Sequence, residues 1–491
     1  MKKKIRSHTR RLFACIFALS CILGAFAFTG CDTSKNATAY KVTADFSEQD
    51  MSVNIDMEVT FRNMAEGDLD HVCFNVFANA YRKGAALSPV SAQKVASAYP
   101  NGISYGGFSV EEIQVNGKKT SYLLSGMDET LLTVRLPALQ KGKRCTVRIR
   151  GKVLLANVNH RLGYGDKTVN LGNFLPTLCV YEKGGFYECP YYDKGDPFFS
   201  EVANYQVRFT APSEYAVASG GKVNSVQTQG DKTAYEYTLN YARDFALVLS
   251  KEFEVISAKE CGVEISYYHL GDTEAERHLA VAKQSLKHYI NTVGKYPYSR
   301  LTVCQADFTE GGMEYPALTY VSSFAPQEEV PRIIAHEVAH QWWYGGVGVN
   351  QIEEGFLDES LAEYTTLTFL DAHPEYGFCR KDLVNAATTA YGMYCDVYSQ
   401  LVGKMNTSMR RSLADFRSEY EYVNLAYNKG LLMWENYRVA VGDTRFYKTL
   451  STFYKTHYLK NATTEDVYDV ADKVSGGAGL LRSFIEGTAV I

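Results

Sequence analysis

His336-Glu337-Val338-Ala339-His340 is the stretch on which the reading of this chain turns. It fits the pattern H-E-x-x-H. Two histidines four apart on a helix sit roughly 40° apart around its axis, so both imidazoles face one way. Glu337, beside the first histidine, can hold a water next to a bound cation. Eighteen residues separate His340 from Glu359, which opens an apparent second helix, Phe356 to Tyr364. Between them Gly345-Gly346-Val347-Gly348 gives enough loop to reverse direction and set the helices side by side. His336, His340 and Glu359 thus form a three-ligand set with an open position, the arrangement by which one Zn2+ per chain activates water. Glu337 is the candidate general base. Glu363, one turn beyond Glu359, either orients the ring of His336 through its outer nitrogen or is a solvated helix glutamate.

The surrounding chain is ordinary globular material, 491 residues with 46% hydrophobic and 22% charged. That length suits two or three domains. Net charge is −4, but Lys2, Lys3, Lys4, Arg6, Arg10 and Arg11 all fall in the first eleven residues, and the remainder stands at −10. A mildly acidic body with no basic patch argues against nucleic-acid binding.

The amino terminus has the layout of a secretory signal over residues 1–30: a basic head, an apolar run from Leu12 to Phe28, then Thr29-Gly30-Cys31. Small residues before a cysteine resemble a bacterial lipobox, with Cys31 as the lipidated first residue of the mature chain. A plain signal peptide or an uncleaved anchor is the alternative. Residues 31–40 read as a polar tether. Eight further cysteines are scattered with no C-x-x-C pair, so thiolate zinc sites are not expected. Cys179 and Cys189 could bridge a hairpin, or stand as buried thiols.

Residues 41–250 read as β-rich. Alternation of apolar and polar residues in Ser52 to Phe61 recurs in Leu132 to Leu136, Cys145 to Arg150 and Tyr205 to Phe209, with turn signals such as Asn116-Gly117 and Gly220-Gly221 between. This predicts an antiparallel β sandwich or saddle. From 251 to 491 the pattern changes to α+β and then, beyond Pro331, to helices, with Thr463 to Asp466 as an amino-terminal cap. The 36 tyrosines read as strand and core packing.

Three segments in order carry a resemblance. His336 to Glu359 with its spacer, the upstream Gly311-Gly312-Met313-Glu314-Tyr315, and the downstream Tyr427-Asn428-Lys429-Gly430 together resemble the gluzincin aminopeptidases, the group of aminopeptidase N and leukotriene hydrolase. Weaker similarity runs back through Asp196-Pro197 and Ala242 to Ala246. The resemblance implies a thermolysin-like zinc domain after the β domain. It implies that Glu314 binds the free α-ammonium of a peptide and that Gly311, Gly312 and Met313 lie along the substrate. It also makes Tyr427 the donor to the tetrahedral oxyanion, a role that the residues alone leave open to Tyr420 and Tyr422. Three departures stand out. Tyr315 replaces an asparagine, Ser360 replaces a glycine after the third ligand, and the β domain shows no counterpart of the glutamine that assists Glu314. The sequence given also ends before the large helical domain of many relatives, which predicts a more open cleft. The expectation is a zinc aminopeptidase acting on peptides, lipid-anchored outside a bacterial membrane. A zinc endopeptidase or dipeptidase, and a non-catalytic surface binding lipoprotein, are the rivals.

Overall fold

Strand Ser52–Arg62 buries Val53, Ile55, Met57, Val59 and Phe61 and turns the residues between them outward. This alternation makes it a one-sided strand of a half-covered sheet. It lies within an eight-stranded sheet whose order is Lys222–Gln229, Lys232–Ala242, Ala203–Pro212, Thr38–Ser47, Ser52–Arg62, Arg144–Leu154, Gly107–Val115, Lys118–Lys119. Every pairing is antiparallel except one. Thr38–Ser47 runs parallel to Ala203–Pro212 while it pairs antiparallel with Ser52–Arg62 on its other side. Among the described residues two four-stranded sheets and a two-stranded hairpin, Tyr181–Glu182 with Gly185–Phe186, complete the β part. The predicted β sandwich or saddle is therefore present, with that single parallel seam.

The computed structural model describes residues 37–403 and 405–487. The signal segment, the first six tether residues and Cys31 lie outside the described residues. One correction falls at the end of the tether. Residues 38–40 are strand, with Tyr40 stacked on Tyr205 at 4.6 Å and its hydroxyl accepting from the Leu178 amide at 2.8 Å. Their polar look concealed a partner strand more than 160 residues away. Residues from Thr38 onward form one compact unit. Among the described residues no helix is long and apolar enough to cross a membrane, and the eight cysteines, Cys179 and Cys189 included, are free thiols.

After Leu247–Ser250, the last strand of the β part, a separate five-stranded sheet begins. Its order is Glu254–Glu260, Val263–His269, Arg300–Ala306, Leu318–Ser322, Gly312–Met313. The helix Ala275–Thr292 connects the parallel neighbours Val263–His269 and Arg300–Ala306. Gly312–Met313 is an edge strand, paired only with Leu318–Ser322. The two parts interlock through polar bonds: Tyr320 donates to the Leu247 carbonyl, and Thr302 to that of Ser219. Helices follow from Val330. The last long one, Thr464–Ser475, starts at the predicted amino-terminal cap, which the structure shows as a capping box between Thr463 and Asp466.

Candidate active site

The helix Val330–Ala339 starts with Pro331 in its first turn, where the missing N–H costs nothing, and carries His336 and Glu337 on its last turn. His340 follows as its carboxyl-terminal cap. Glu359 comes from the helix Phe356–Ala372, whose residues from Phe356 to Leu370 are all buried. A helix buried on every side can place carboxylates in the interior, provided each finds a partner.

The loop between these helices is held from beneath by Arg243. Its guanidinium donates to the carbonyls of Tyr344, Ser200 and Lys460. A Cβ at Gly348 would lie 2.1 Å from its Cζ, so only glycine lets the loop pass over it. The sequence marked the Arg243 segment as similar but gave it no task.

Three ligand atoms converge. His336 Nε2 and His340 Nε2 face each other at 3.0 Å, and each lies 3.3 Å from Glu359 Oε2. Ligands about 2.0–2.1 Å from a tetrahedral zinc are about 3.3 Å apart, so the triangle fits that ion. The outer ring nitrogens are both committed. His336 Nδ1 donates to Glu363 at 3.1 Å, and His340 Nδ1 to the Trp343 carbonyl at 2.9 Å. This leaves both Nε2 lone pairs pointing inward. Glu359 Oε2 and Glu337 Oε2 are buried without a hydrogen-bond partner. Buried, unbonded anionic oxygens beside two imidazole lone pairs are what a cation satisfies.

The electrostatics agree. Burial alone would lower the pKa of His336, yet the Glu359 and Glu363 carboxylates raise it to about 9. Burial, reinforced by Glu314 and Glu359, pushes Glu337 up to about 8 against the pull of both histidines. The pocket holds more buried negative charge than its own cations balance. Glu363 is not a solvated glutamate: its second oxygen takes Arg332 Nη2 at 2.6 Å. Its other oxygen faces the outer ring nitrogen of His336, the contact that an orienting role needs.

Gly312 touches Glu337. A Cβ there would stand 2.3 Å from Glu337 Oε1, so the edge strand must be glycine where the carboxylate rests on it. Gly311 and Gly312 line a cleft of about 280 Å³, whereas the Met313 side chain is buried away from it, accepting from Arg161 Nε at 3.2 Å. Glu314 is only 3% exposed, and its Oε1 accepts from Gln351 Nε2 at 3.0 Å. The same amide donates to Asp358 at 2.8 Å. Nothing in the sequence singled out Gln351. Tyr315 is fully buried and points into the β part, donating to Asn173 at 2.7 Å.

Tyr427 sits in a widened π-type turn, Asn424–Lys429. Such turns push one side chain out of the regular helical spacing. Its ring is stacked on that of His336 at 5.9 Å. Tyr422 also lines the cleft, and Tyr420 is half exposed outside it. Lys429, fully buried, pins the turn by donating to the carbonyls of Thr407 and Phe484. Gly430 lets the next helix, Gly430–Val441, close on Ser360. A Cβ at Gly430 would lie 2.4 Å from that of Ser360, whose hydroxyl accepts from Trp434 Nε1 at 3.1 Å.

With this geometry in hand, comparison with known proteins is direct. The model described as Peptidase family M1 domain matches residues 277–486. This stretch is similar to that family's domain. The chain is also similar to Endoplasmic reticulum aminopeptidase 2 of Homo sapiens, 24% identical over 301 residues, covering 56% of this chain and 30% of that protein. Aminopeptidase N of Lactococcus lactis subsp. lactis is 24% identical over 195 residues, 35% of this chain and 21% of the relative. The chain thus spans about a third or less of these curated relatives. Among solved structures, the M1 zinc metallopeptidase of Deinococcus radiodurans superposes with TM-score 0.66 at 17% identity, over 93% of this chain and 95% of that one. A further structure at TM-score 0.66 is described as a two-domain M1 enzyme. The fold is accordingly a β-rich part followed by a largely helical part, as the sequence pattern predicted.

Proposed function

We propose that the protein is a zinc-dependent aminopeptidase that hydrolyses the first peptide bond of peptides. The observation that carries this reading is the convergence of His336, His340 and Glu359 at zinc spacing, with the Glu337 carboxylate against the edge strand beside them. Zinc held by His336, His340 and Glu359 would supply Lewis-acid chemistry and make water nucleophilic near neutral pH. The chain's own residues do the rest. Glu337 accepts the proton of the attacking water and passes it to the leaving amine. Tyr427, stacked on His336, offers its hydroxyl to the oxyanion. The free edge of Gly311 to Met313 pairs with the substrate backbone, and Glu314 fixes its α-ammonium. An M1 zinc metallopeptidase structure from Deinococcus radiodurans, TM-score 0.63 and 18% identical, is described as bound to a Tyr-Ser-Ala substrate.

The test compares a free and an amino-acetylated version of one short peptide, with and without chelator. Cleavage of the free form only, lost with chelator and restored by zinc, is the expected result. Equal rates on both forms would replace this reading with an endopeptidase. Anchoring outside a bacterial membrane is proposed from the Thr29-Gly30-Cys31 segment. Cys31→Ala should abolish incorporation of labelled fatty acid in cells, and unchanged labelling would remove the anchor.

A further inference from the structure

We infer that a groove lined by Lys295, Lys448, Lys455 and Lys473 docks on the anionic phospholipid headgroups of the membrane that holds the tether. The inference rests on the anchoring proposed at Cys31 and is independent of the hydrolytic reading.

The groove has a volume of about 1010 Å³ and lies where three segments meet. Lys448 and Lys455 stand seven apart on the helix Asp443–His457, two turns along one face. Lys473 comes from the helix Thr464–Ser475, and Lys295 from the loop after Ala275–Thr292. All four are exposed, and none of their ammonium groups has an ion-pair or hydrogen-bond partner among the described residues. No aspartate or glutamate is among the described residues that line the groove. The chain beyond its first eleven residues has a net charge of −10, so this is a local excess of the opposite sign. Screening confines each charge to roughly 10 Å, and a surface that touches the groove therefore meets the lysines rather than the net charge. No basic patch shows in the sequence because the four lysines come from separate segments.

Tyr454 and Tyr458 line the same groove. The Tyr454 hydroxyl donates to the Lys295 carbonyl at 2.7 Å, and a Cβ at Gly294 would lie 2.9 Å from the Tyr454 ring, so this side of the groove is fixed by packing. Ammonium groups together with tyrosine rings suit the headgroup layer. Its phosphate oxygens accept charged hydrogen bonds, and amphipathic rings rest at its boundary with the acyl chains.

The tether favours a membrane over another anion. Cys31 and Thr38 are seven residues apart, and a chain reaches at most about 3.6 Å per residue, so a bilayer holding Cys31 stays within about 25 Å of Thr38. Thr38 opens its strand beside Ala203, and Ala203 pairs on its other side with Ala242. These two strand spacings amount to about 10 Å. Arg243, the next residue, donates to the Lys460 carbonyl at 2.9 Å, and Lys460 stands two residues after Tyr458 of the groove. The groove shares no lining residue with the active-site cleft, so a docked membrane leaves the cleft to its substrate.

The experiment is vesicle cosedimentation of a chain that starts at Asp32, which keeps the compact unit from Thr38 onward and carries no lipid. It should bind vesicles containing phosphatidylglycerol, less so at high salt, and not vesicles of phosphatidylcholine alone. Each lysine near an anionic surface is worth about fivefold in affinity, so Lys448→Gln, Lys455→Gln and Lys473→Gln together should weaken binding about a hundredfold. Hydrolysis of a soluble aminoacyl reporter by that variant should match the parent. Lys455→Gln alone, about fivefold weaker, serves if the triple variant does not fold. Three exposed lysines of the β part, Lys118, Lys143 and Lys232, changed to glutamine in the same way should leave binding within about threefold. No binding to phosphatidylglycerol vesicles, equal binding to neutral ones, or an equal loss in both triple variants would overturn the inference, as would capture of polyglutamate without vesicle binding, which would mean an acidic protein partner. None of these results bears on whether Cys31 takes a lipid, which fatty-acid labelling decides separately.

Discussion

The cleft has two walls built in opposite ways. On the helical wall Arg332, His336, Glu337, His340, Glu359 and Glu363 come from 32 consecutive residues on two adjoining helices. On the β wall Lys94, His160, Arg161 and Asp196 come from loops spread over more than a hundred residues. The first wall is set by helical period, the second by the way separate loops of the β part come together. A change on the helical wall should act on the chemistry, while a change on the β wall should act on which substrates enter.

The sharpest test of that division is Glu337→Gln. It keeps the shape against Gly312 and removes the base. Turnover should fall about 10³-fold, within the range for general-base loss, with zinc content by elemental analysis unchanged. Turnover near the parent level would leave the helical wall without its catalyst. Next in size is Glu363→Ala, which frees the ring of His336 and strands Arg332. Zinc affinity, read by competition with a chromogenic chelator, should drop about 10–100-fold. An unchanged affinity would mean that the buried helices alone fix the ligand geometry.

The smallest effect is expected on the β wall. Lys94 is bonded to both Glu310 and Glu419, and so joins the two walls at the cleft rim. Lys94→Ala should leave dipeptide hydrolysis within about twofold and shift the ratio of long-peptide to dipeptide hydrolysis up by no more than about fivefold, the scale of a partly exposed ion pair. A large loss of dipeptide turnover would place Lys94 in the chemistry and blur the distinction between the walls.

The same division explains what could be read in advance. His336, His340 and Glu337 were legible because four-residue spacing is a local rule, and Glu359 because one glycine-marked reversal brings it back. Glu363 was half legible: helical spacing gave its position, and only burial beside Arg332 gave its task. Gln351, Arg161 and Arg243 were not legible, since each is a single polar residue whose partners lie elsewhere in the chain. Residues 38–40 were misread for a related reason. The strand Thr38–Ser47 buries Tyr40, Val42, Ala44 and Phe46, but its first residues continue a polar run, which hid where the alternation starts.

Ser360 and Gly430 have a consequence for how this chain can vary. One Cβ fits between the Glu359 helix and the helix after Tyr427, and here it belongs to serine. Ser360→Gly alone would strip Trp434 of its acceptor, and Gly430→Ala alone would drive two Cβ atoms together. The two sites form an epistatic pair: neither drifts freely, and a lineage exchanging the small residue from one helix to the other must pass through a less fit intermediate or change both at once.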